Sequence, residues 1–369
     1  MPIVLRSLMR DRILHLLLLL GVILLPLADY RWSQLPVAVD WHTIMTLTGL
    51  LMLTKGLENS GYFDVLGARL IQRFQHERAL ALFMVCAAAL LSTFLTNDVA
   101  LFILVPLTLT LRKFSRLPIS RLIIFEALAV NAGSLLTPVG NPQNILLWSH
   151  GTLSVSGFIL QMAPLAAVLI ITLMALTWWS FSARTIQKHA QSEAHQWEKS
   201  LFIISVLLYL VFVAALELKM TGWALLLVAG CFLIIARSVL ASIDWSLLLV
   251  FIAMFIDVFL LMHLPLLQPH FAAISQLGEG GLYLLAIGFS QVISNVPATI
   301  LLLQKVPPSE VLAWAVNIGG FGLLPGSLAN LIALRMAQDA RVWWRFHLFS
   351  LPMLAWSMLC GWLLLHWLR

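Results

Sequence analysis

The stretch "AVNAGSLLTPVGNPQNILL", Ala129 to Leu147, lies inside a long apolar run and interrupts it with Asn131, Gly133, Ser134, Thr137, Pro138, Gly140, Asn141, Pro142 and Asn144. Proline and glycine break helices, and Asn draws backbone into local turns. Non-helical backbone at membrane depth is tolerated only where it is buried in protein or lines a water-filled cavity. The reading of this stretch decides the fold.

Outward from it, the 369-residue chain is 61% hydrophobic and only 10% charged, against roughly 25% charged in a soluble domain. Runs such as "ILHLLLLLGVILLPLA" and "PLAAVLIITLMALTWW" approach the roughly 20 apolar residues that span a bilayer. The expectation is an all-α polytopic membrane protein. The first run follows Arg6, Arg10 and Arg12 but lacks a small-x-small cleavage site, so it reads as a retained span. Cys86, Cys231 and Cys360 lie far apart in apolar runs, and three leave one over in any disulfide scheme. The net charge of +6 does not require nucleic acid, because positive-inside bias explains it.

The hydropathy pattern predicts about nine crossings, with ten or eleven as the alternative: near 13–28, 40–58, 119–149, 156–182, 200–217, 221–236, 244–262, 309–334 and 346–367. The segments 79–111 and 280–304 each carry a polar break and read as re-entrant hairpins. With the N-terminus inside, seventeen of the 22 Lys and Arg fall in inner segments, among them Arg69, Arg112, Arg121, Arg184, Lys188, Arg237 and Arg345. Only Arg31, Lys219, Lys305 and Arg369 fall outside, and Lys55 lies within a span. This asymmetry predicts a cytoplasmic N-terminus and a periplasmic C-terminus. Trp32, Trp41, Trp148, Trp245, Trp343, Trp344 and Trp367 fall near span ends, as an interfacial belt does. The polar loop of about 183–200 divides the chain and is too short for a domain.

The opening stretch has a second copy. "AVNAGSLLTPVGNPQN" (129–144) aligns without a gap to "AVNIGGFGLLPGSLAN" (315–330), matching Asn131 to Asn317, Gly133 to Gly319, Gly140 to Gly326 and Asn144 to Asn330. "STFLTNDVA" (92–100) aligns to "SQVISNVPA" (290–298), and Asp40–Trp41 echoes Asp244–Trp245. The order is the same in both halves, and the charge count makes them opposite in membrane sense. The expectation is two inverted repeats, 1–190 (hairpin about 79–111, interrupted helix about 119–149) and 191–369 (hairpin about 280–304, interrupted helix about 309–334). Paired interrupted spans in inverted repeats point to a secondary transporter. Half-helix N-termini suit an anion, and unwound carbonyls with Asn side chains suit a cation. Packing of small residues would account for one such motif, but not for several in the same order twice.

"FLTNDVALFILVPL" followed by "NAGSLLTPVGNPQNIL" resembles the ion transporter superfamily in its citrate-transporter (CitM-type) branch, over nearly the full length. Relatives there are arsenite exporters, D-type sodium/proton antiporters and divalent anion/sodium symporters. The resemblance implies a scaffold part, a transport part and a homodimer in a bacterial inner membrane. It carries substrate or ion binding to Thr96, Asn97, Thr137, Gly140, Asn141 and Asn144, and to Ser294, Asn295, Gly326, Ser327 and Asn330. The symporters often show Ser-Asn-Thr at each tip. Here the tips read Thr-Asn-Asp and Ser-Asn-Val, so Val296 removes a hydroxyl and Asp98 adds a carboxylate. A second sodium site and a dicarboxylate substrate are therefore not assumed.

An ionisable group inside a span is a functional candidate by default. Asp98 is the expected proton or sodium site, against the alternative of a helix cap. Lys55 and Asp257, in corresponding spans, are read as possible charge partners, with snorkelling as the alternative for Lys55. Glu126 and Glu58 are expected near an interface. The functional expectation is a secondary active transporter moving a small ion, an inorganic or organic anion first, on a proton or sodium gradient. A cation/proton antiporter is the alternative within the same class. An intramembrane enzyme is disfavoured, because the one serine candidate, Ser134, is matched by Gly320, and no HExxH, paired CxxC or phosphate loop is present. A membrane scaffold would carry no coupled flux. The expected requirements are no cofactor and no metal beyond a coupling sodium, with no nucleic acid. A partner ATPase is conceivable on the arsenite model alone.

Overall fold

The structure, a computed structural model, describes residues 8–9, 11–187, 197–218 and 220–367, apart from the side chains of Glu217 and Ala272. Arg6, Arg10, Lys188, Lys219, Arg369 and much of the 183–200 loop lie outside the described residues. The helices of eight or more residues are α1 (Arg12–Leu24), α2 (Trp41–Asn59), α3 (Tyr62–Arg73), α4 (Glu77–Phe94), α5 (Asn97–Thr110), α6 (Ile119–Ser134), α7 (Pro142–Ser149), α8 (Val155–Ser180), α9 (Lys199–Glu217), α10 (Thr221–Ile235), α11 (Trp245–Met262), α12 (Glu279–Ile293), α13 (Asn295–Leu303), α14 (Glu310–Ile318), α15 (Leu328–Met336) and α16 (Val342–Trp367). Short helical turns connect them, and no strand is present among the described residues.

Two compact units form, and each draws chain from both halves of the sequence. The described residues within Met1–Val65 and Ala194–Ala272 make the first, and those within Leu66–Glu193 and Ala273–Arg369 the second. In the first unit α2 packs against α9, α10 and α11, and α1 lies along α11. The Asp-Trp echo has a structural cause here. Asp40 caps α2 by accepting from the Thr43 N–H, and Asp244 caps α11 by accepting from the Leu247 N–H, each at 3.1 Å. Each following indole also donates to a carbonyl five residues back, Trp41 to Pro36 and Trp245 to Leu240. A capping carboxylate satisfies an otherwise orphaned amide at a helix start.

The second unit holds both hairpins and both interrupted helices. Helix α4 runs up to Leu95–Thr96 and α5 returns, while α12 and α13 are joined through Ser294 alone. α6 stops at Ser134 and the chain resumes as α7 at Pro142. α14 stops at Ile318 and resumes as α15 at Leu328. α6 packs on α4, α5, α8, α15 and α16 and is buried over nearly its whole length.

Five helices among the described residues are long and apolar enough to cross a membrane alone, α4, α8, α9, α11 and α16, or six if the bent pair Trp32–Ala38 and α2 is one span. The difference from nine expected crossings has a geometric reason. The spans expected at 119–149 and 309–334 are each two half-helices. α1 and α10, with 13 and 15 residues, are only about 20 Å long at ~1.5 Å per residue. α4, expected as one arm of a hairpin, has 18 residues and reaches the length of a span.

Candidate functional site

Each helix break exposes backbone carbonyls that have lost their helical partners. Asparagine side chains take them up. The Asn144 amide donates to the carbonyls of Ser134, Leu135 and Thr137 at 3.3, 3.1 and 3.0 Å. In the second break the Asn330 amide donates to Gly320 O at 2.9 Å. Asn141 caps α7, its carbonyl oxygen accepting from the Asn144 N–H at 2.9 Å. Asn144, Asn330, Asn141 and Ser327 are all essentially inaccessible to solvent.

The two breaks are then tied to each other. Asn131 donates to Asn330 Oδ1 at 2.8 Å, and Asn317 donates to Asn144 Oδ1 at 2.7 Å. Under the repeat alignment these are the same bond made twice, with the halves exchanged. A second pair repeats the pattern. Ser327 Oγ donates to Asn131 Oδ1 and the Asn141 amide donates to Asn317 Oδ1, both at 3.0 Å. Gln143 adds a longer contact to Asn317 Oδ1 at 3.4 Å.

Glycine at the two matched break positions is required by close approach. A β-carbon on Gly140 would lie 2.1 Å from Ser134 O, and one on Gly326 would lie 2.6 Å from Gly319 O. The hairpins brace the same breaks. The Asn97 N–H donates to Gly140 O at 2.9 Å, and Thr137 Oγ1 donates to Thr93 O at 2.8 Å. Thr93 Oγ1 reaches Gly133 O at 3.2 Å, and its counterpart Gln291 reaches Gly319 O at 2.8 Å and Phe321 O at 3.0 Å. The Asn295 amide borders the second break, 3.3 Å from where a Gly320 β-carbon would sit. α13 also packs on α7, and α5 packs on α15, so each returning hairpin arm contacts a half-helix of the other repeat.

The tips themselves differ. Thr96 caps α5, its hydroxyl accepting from the Val99 N–H at 3.4 Å. Asp98 is therefore not the cap. It sits one residue inside the helix start, and its Oδ1 is buried with no hydrogen-bond partner among the described residues. Its N–H donates to Asn97 Oδ1 at 3.0 Å. Ser294, the matching tip residue, has φ 72° and ψ 154°, a region that is nearly glycine-only and costs on the order of 1–3 kcal/mol for other residues. Gln143 Oε1 is a second buried acceptor without a partner among the described residues. A buried acceptor left open in this way is suited to a cation or a proton donor.

The sequence-derived residues Thr137, Gly140, Asn141, Asn144, Gly326, Ser327 and Asn330 meet in this cluster, with Thr96, Asn97, Asp98, Ser294 and Asn295 on the hairpin tips. Asn131 and Asn317, which carry the bonds between the breaks, were outside that set, although the repeat alignment had matched them. Lys55 and Asp257 are not a pair. Lys55 Nζ lies 2.9 Å from Glu58, one turn along α2, where the short helical spacing makes the contact easy. Asp257 stands in the first unit beside Gly21, with Oδ2 unpartnered among the described residues. Glu126, expected near an interface, is fully buried in the middle of α6, where Thr108 donates to its Oε1 at 2.5 Å.

The chain is similar to known membrane transport proteins over most of its length. A family model described as a citrate transporter, CitMHS, matches residues 7–306. The chain is 60% identical to the inner membrane protein YbiR of Escherichia coli (strain K12), over 98% of this chain and 97% of that protein. It is 30% identical to an uncharacterized transporter of Methanocaldococcus jannaschii, over 86% of this chain and 87% of that one. It is 26% identical to the silicon efflux transporter LSI3 of Oryza sativa subsp. japonica, covering 85% and 84%. The solved structure of the YdaH transporter of Alcanivorax borkumensis matches with a TM-score of 0.46 and 18% identity, covering 97% of this chain and 99% of that chain.

Proposed function

The chain belongs to the citrate transporter (CitMHS) family of membrane transporters, and from that premise we propose that it is a secondary active transporter moving a small anion across a bacterial inner membrane. The observation that supports this best is the pair of matched helix breaks, bonded to one another by Asn131–Asn330 and Asn317–Asn144 and bordered by both hairpin tips. In this reading the substrate binds against the break amides and half-helix starts, where N–H groups and the helix dipole favour negative charge. The coupling ion, a proton or one sodium, binds at Asp98, whose Oδ1 is open. Alternating access exchanges the two nearly equivalent arrangements of hairpin and break. The N-terminus is cytoplasmic, the C-terminus periplasmic, and the working form a homodimer.

Gradient-driven flux into proteoliposomes tests this. Candidate anions are screened by thermal shift first. Silicon is included because a relative in rice is named for its efflux. Asp98→Asn keeps the size and removes the charge. Substrate binding and passive counterflow are expected to survive, while uphill transport falls at least tenfold. Unchanged uphill flux with unchanged pH and sodium dependence would refute the coupling role. The antiporter reading is favoured by the carboxylate where relatives often carry a hydroxyl residue. It predicts sodium efflux driven by an inward proton gradient with no anion present.

A further inference from the structure

A cavity of about 480 Å³ opens in the second unit, away from the helix breaks. Arg112, Arg121 and Arg345 line it, together with Ser120 at the start of α6 and Leu348 and Phe349 on α16. One carboxylate, Asp339, is bonded to this lining. Ser120 Oγ donates to Asp339 Oδ2 at 2.6 Å, and the Arg341 N–H donates to its other oxygen at 3.0 Å. These bonds, with Arg345 and Arg112 nearby, hold the Asp339 carboxyl below its usual range and keep it ionised. Three guanidinium groups against one carboxylate leave a net charge of about two positive.

Two further facts narrow the ligand. Arg121 is oriented by the protein, its Nη1 donating to Ser180 O at 2.6 Å with the guanidinium over the Phe181 ring, so the cationic wall is partly built before a ligand arrives. Apart from Ser120 the rest of the lining is apolar, Leu348 and Phe349 among it, and it continues outward along α16. Leu348 is 71% exposed, and Leu351, Leu359 and Leu363 continue an exposed apolar face along α16. A soluble anion has no use for that face, whereas a lipid has a phosphate for the arginines and acyl chains for the leucines. The charge asymmetry of the sequence puts these arginines on the cytoplasmic side, where anionic lipid headgroups bind basic pockets between helices.

We propose that this cavity is a binding site for the phosphate of an anionic glycerophospholipid of the inner leaflet, with its acyl chains lying along α16.

Native mass spectrometry of the purified full chain in detergent, titrated with phosphatidylglycerol, cardiolipin or phosphatidylcholine, tests it. Phosphatidylglycerol and cardiolipin are expected to be retained at least tenfold better than phosphatidylcholine. Each arginine near the membrane surface accounts for roughly a fivefold change in affinity. Arg112→Gln/Arg345→Gln should therefore lower phosphatidylglycerol retention by roughly 25-fold, while Lys305→Gln leaves it unchanged. Asp339→Asn removes the competing carboxylate and should raise retention about fivefold. This variant leaves every arginine in place, so it decides the matter if the double variant fails to fold. Equal retention of charged and neutral lipid, or no change in Asp339→Asn, overturns the proposal. Displacement of phosphatidylglycerol by millimolar inorganic phosphate assigns the site to a free anion and overturns the lipid.

Discussion

The bonds between the helix breaks can be measured one at a time. Asn317→Ala removes four hydrogen bonds: the donations to Asn144 Oδ1 and Ala313 O, and the acceptances from Asn141 and Gln143. Interhelical hydrogen bonds in membrane proteins average about 0.6 kcal/mol and reach about 1.7 kcal/mol. The expected loss is therefore about 2–3 kcal/mol. Asn131→Ala removes three bonds, two of them the repeat counterparts of Asn317 bonds and the third a donation to Gly320 O, and should cost slightly less. The sharper quantity is the coupling. In a double-mutant cycle with equilibrium unfolding in mixed micelles, Asn317→Ala with Asn144→Ala should couple by about 0.6–1.7 kcal/mol. Asn131→Ala with Asn330→Ala should couple by the same amount, since it is the same bond under the repeat. Asn144→Ala with Asn330→Ala, equivalent by sequence but not bonded, should stay within about 0.5 kcal/mol of additive. If the bonded pairs couple no more strongly than this last pair, the breaks are not braced by these asparagines.

Ser294→Gly should relieve the positive-φ tip and stabilise the folded protein by on the order of 1–3 kcal/mol, while lowering transport because the second tip is less well held; a fall in stability would show that the conformation is not strained. Gly140→Ala would press a β-carbon against Ser134 O and should sharply reduce the yield of folded protein, whereas Gly230→Ala, with open space at its β-position, should leave the yield unchanged in fluorescence-detected gel filtration. A reporter fused after the last helix should show the periplasmic phenotype, and a cytoplasmic one would reverse the inverted-hairpin topology.

The repeat was legible because it is written in residue types with few other uses at membrane depth. Asn, Gly and Pro recurring in one order twice do not arise from packing alone, and they located both breaks and both tips. The Asp-Trp echo was legible as repetition but not as cause. That its carboxylate caps a helix and its indole donates five residues back emerges only from geometry. The charge pairing was not legible. Equivalent positions in two repeats place Lys55 and Asp257 in corresponding helices but do not fix where their side chains point, and Lys55 takes the nearer Glu58.

Asn131 and Asn317 show a different limit. Both had been matched by the alignment, yet they lie in the helices before the breaks, where the pattern reads as ordinary buried polar positions. Their role depends on a contact between segments nearly 200 residues apart, which a periodicity within one segment does not encode. Once seen, the contact explains why the matches are exact. A bond that joins position A of one repeat to position B of the other constrains both positions in both repeats, so four asparagines are fixed by one geometric requirement. The tips are under no such reciprocal constraint, because each hairpin braces the break of its own repeat, the first through the Asn97 N–H and the Thr93 carbonyl and hydroxyl, the second through the Gln291 side chain. They are free to diverge, and it is there that Asp98 faces no counterpart carboxylate and Ser294 adopts a conformation Thr96 does not. In a transporter of this family, a symmetric frame with asymmetric tips is the arrangement that would let one hairpin carry a coupling ion while both continue to move.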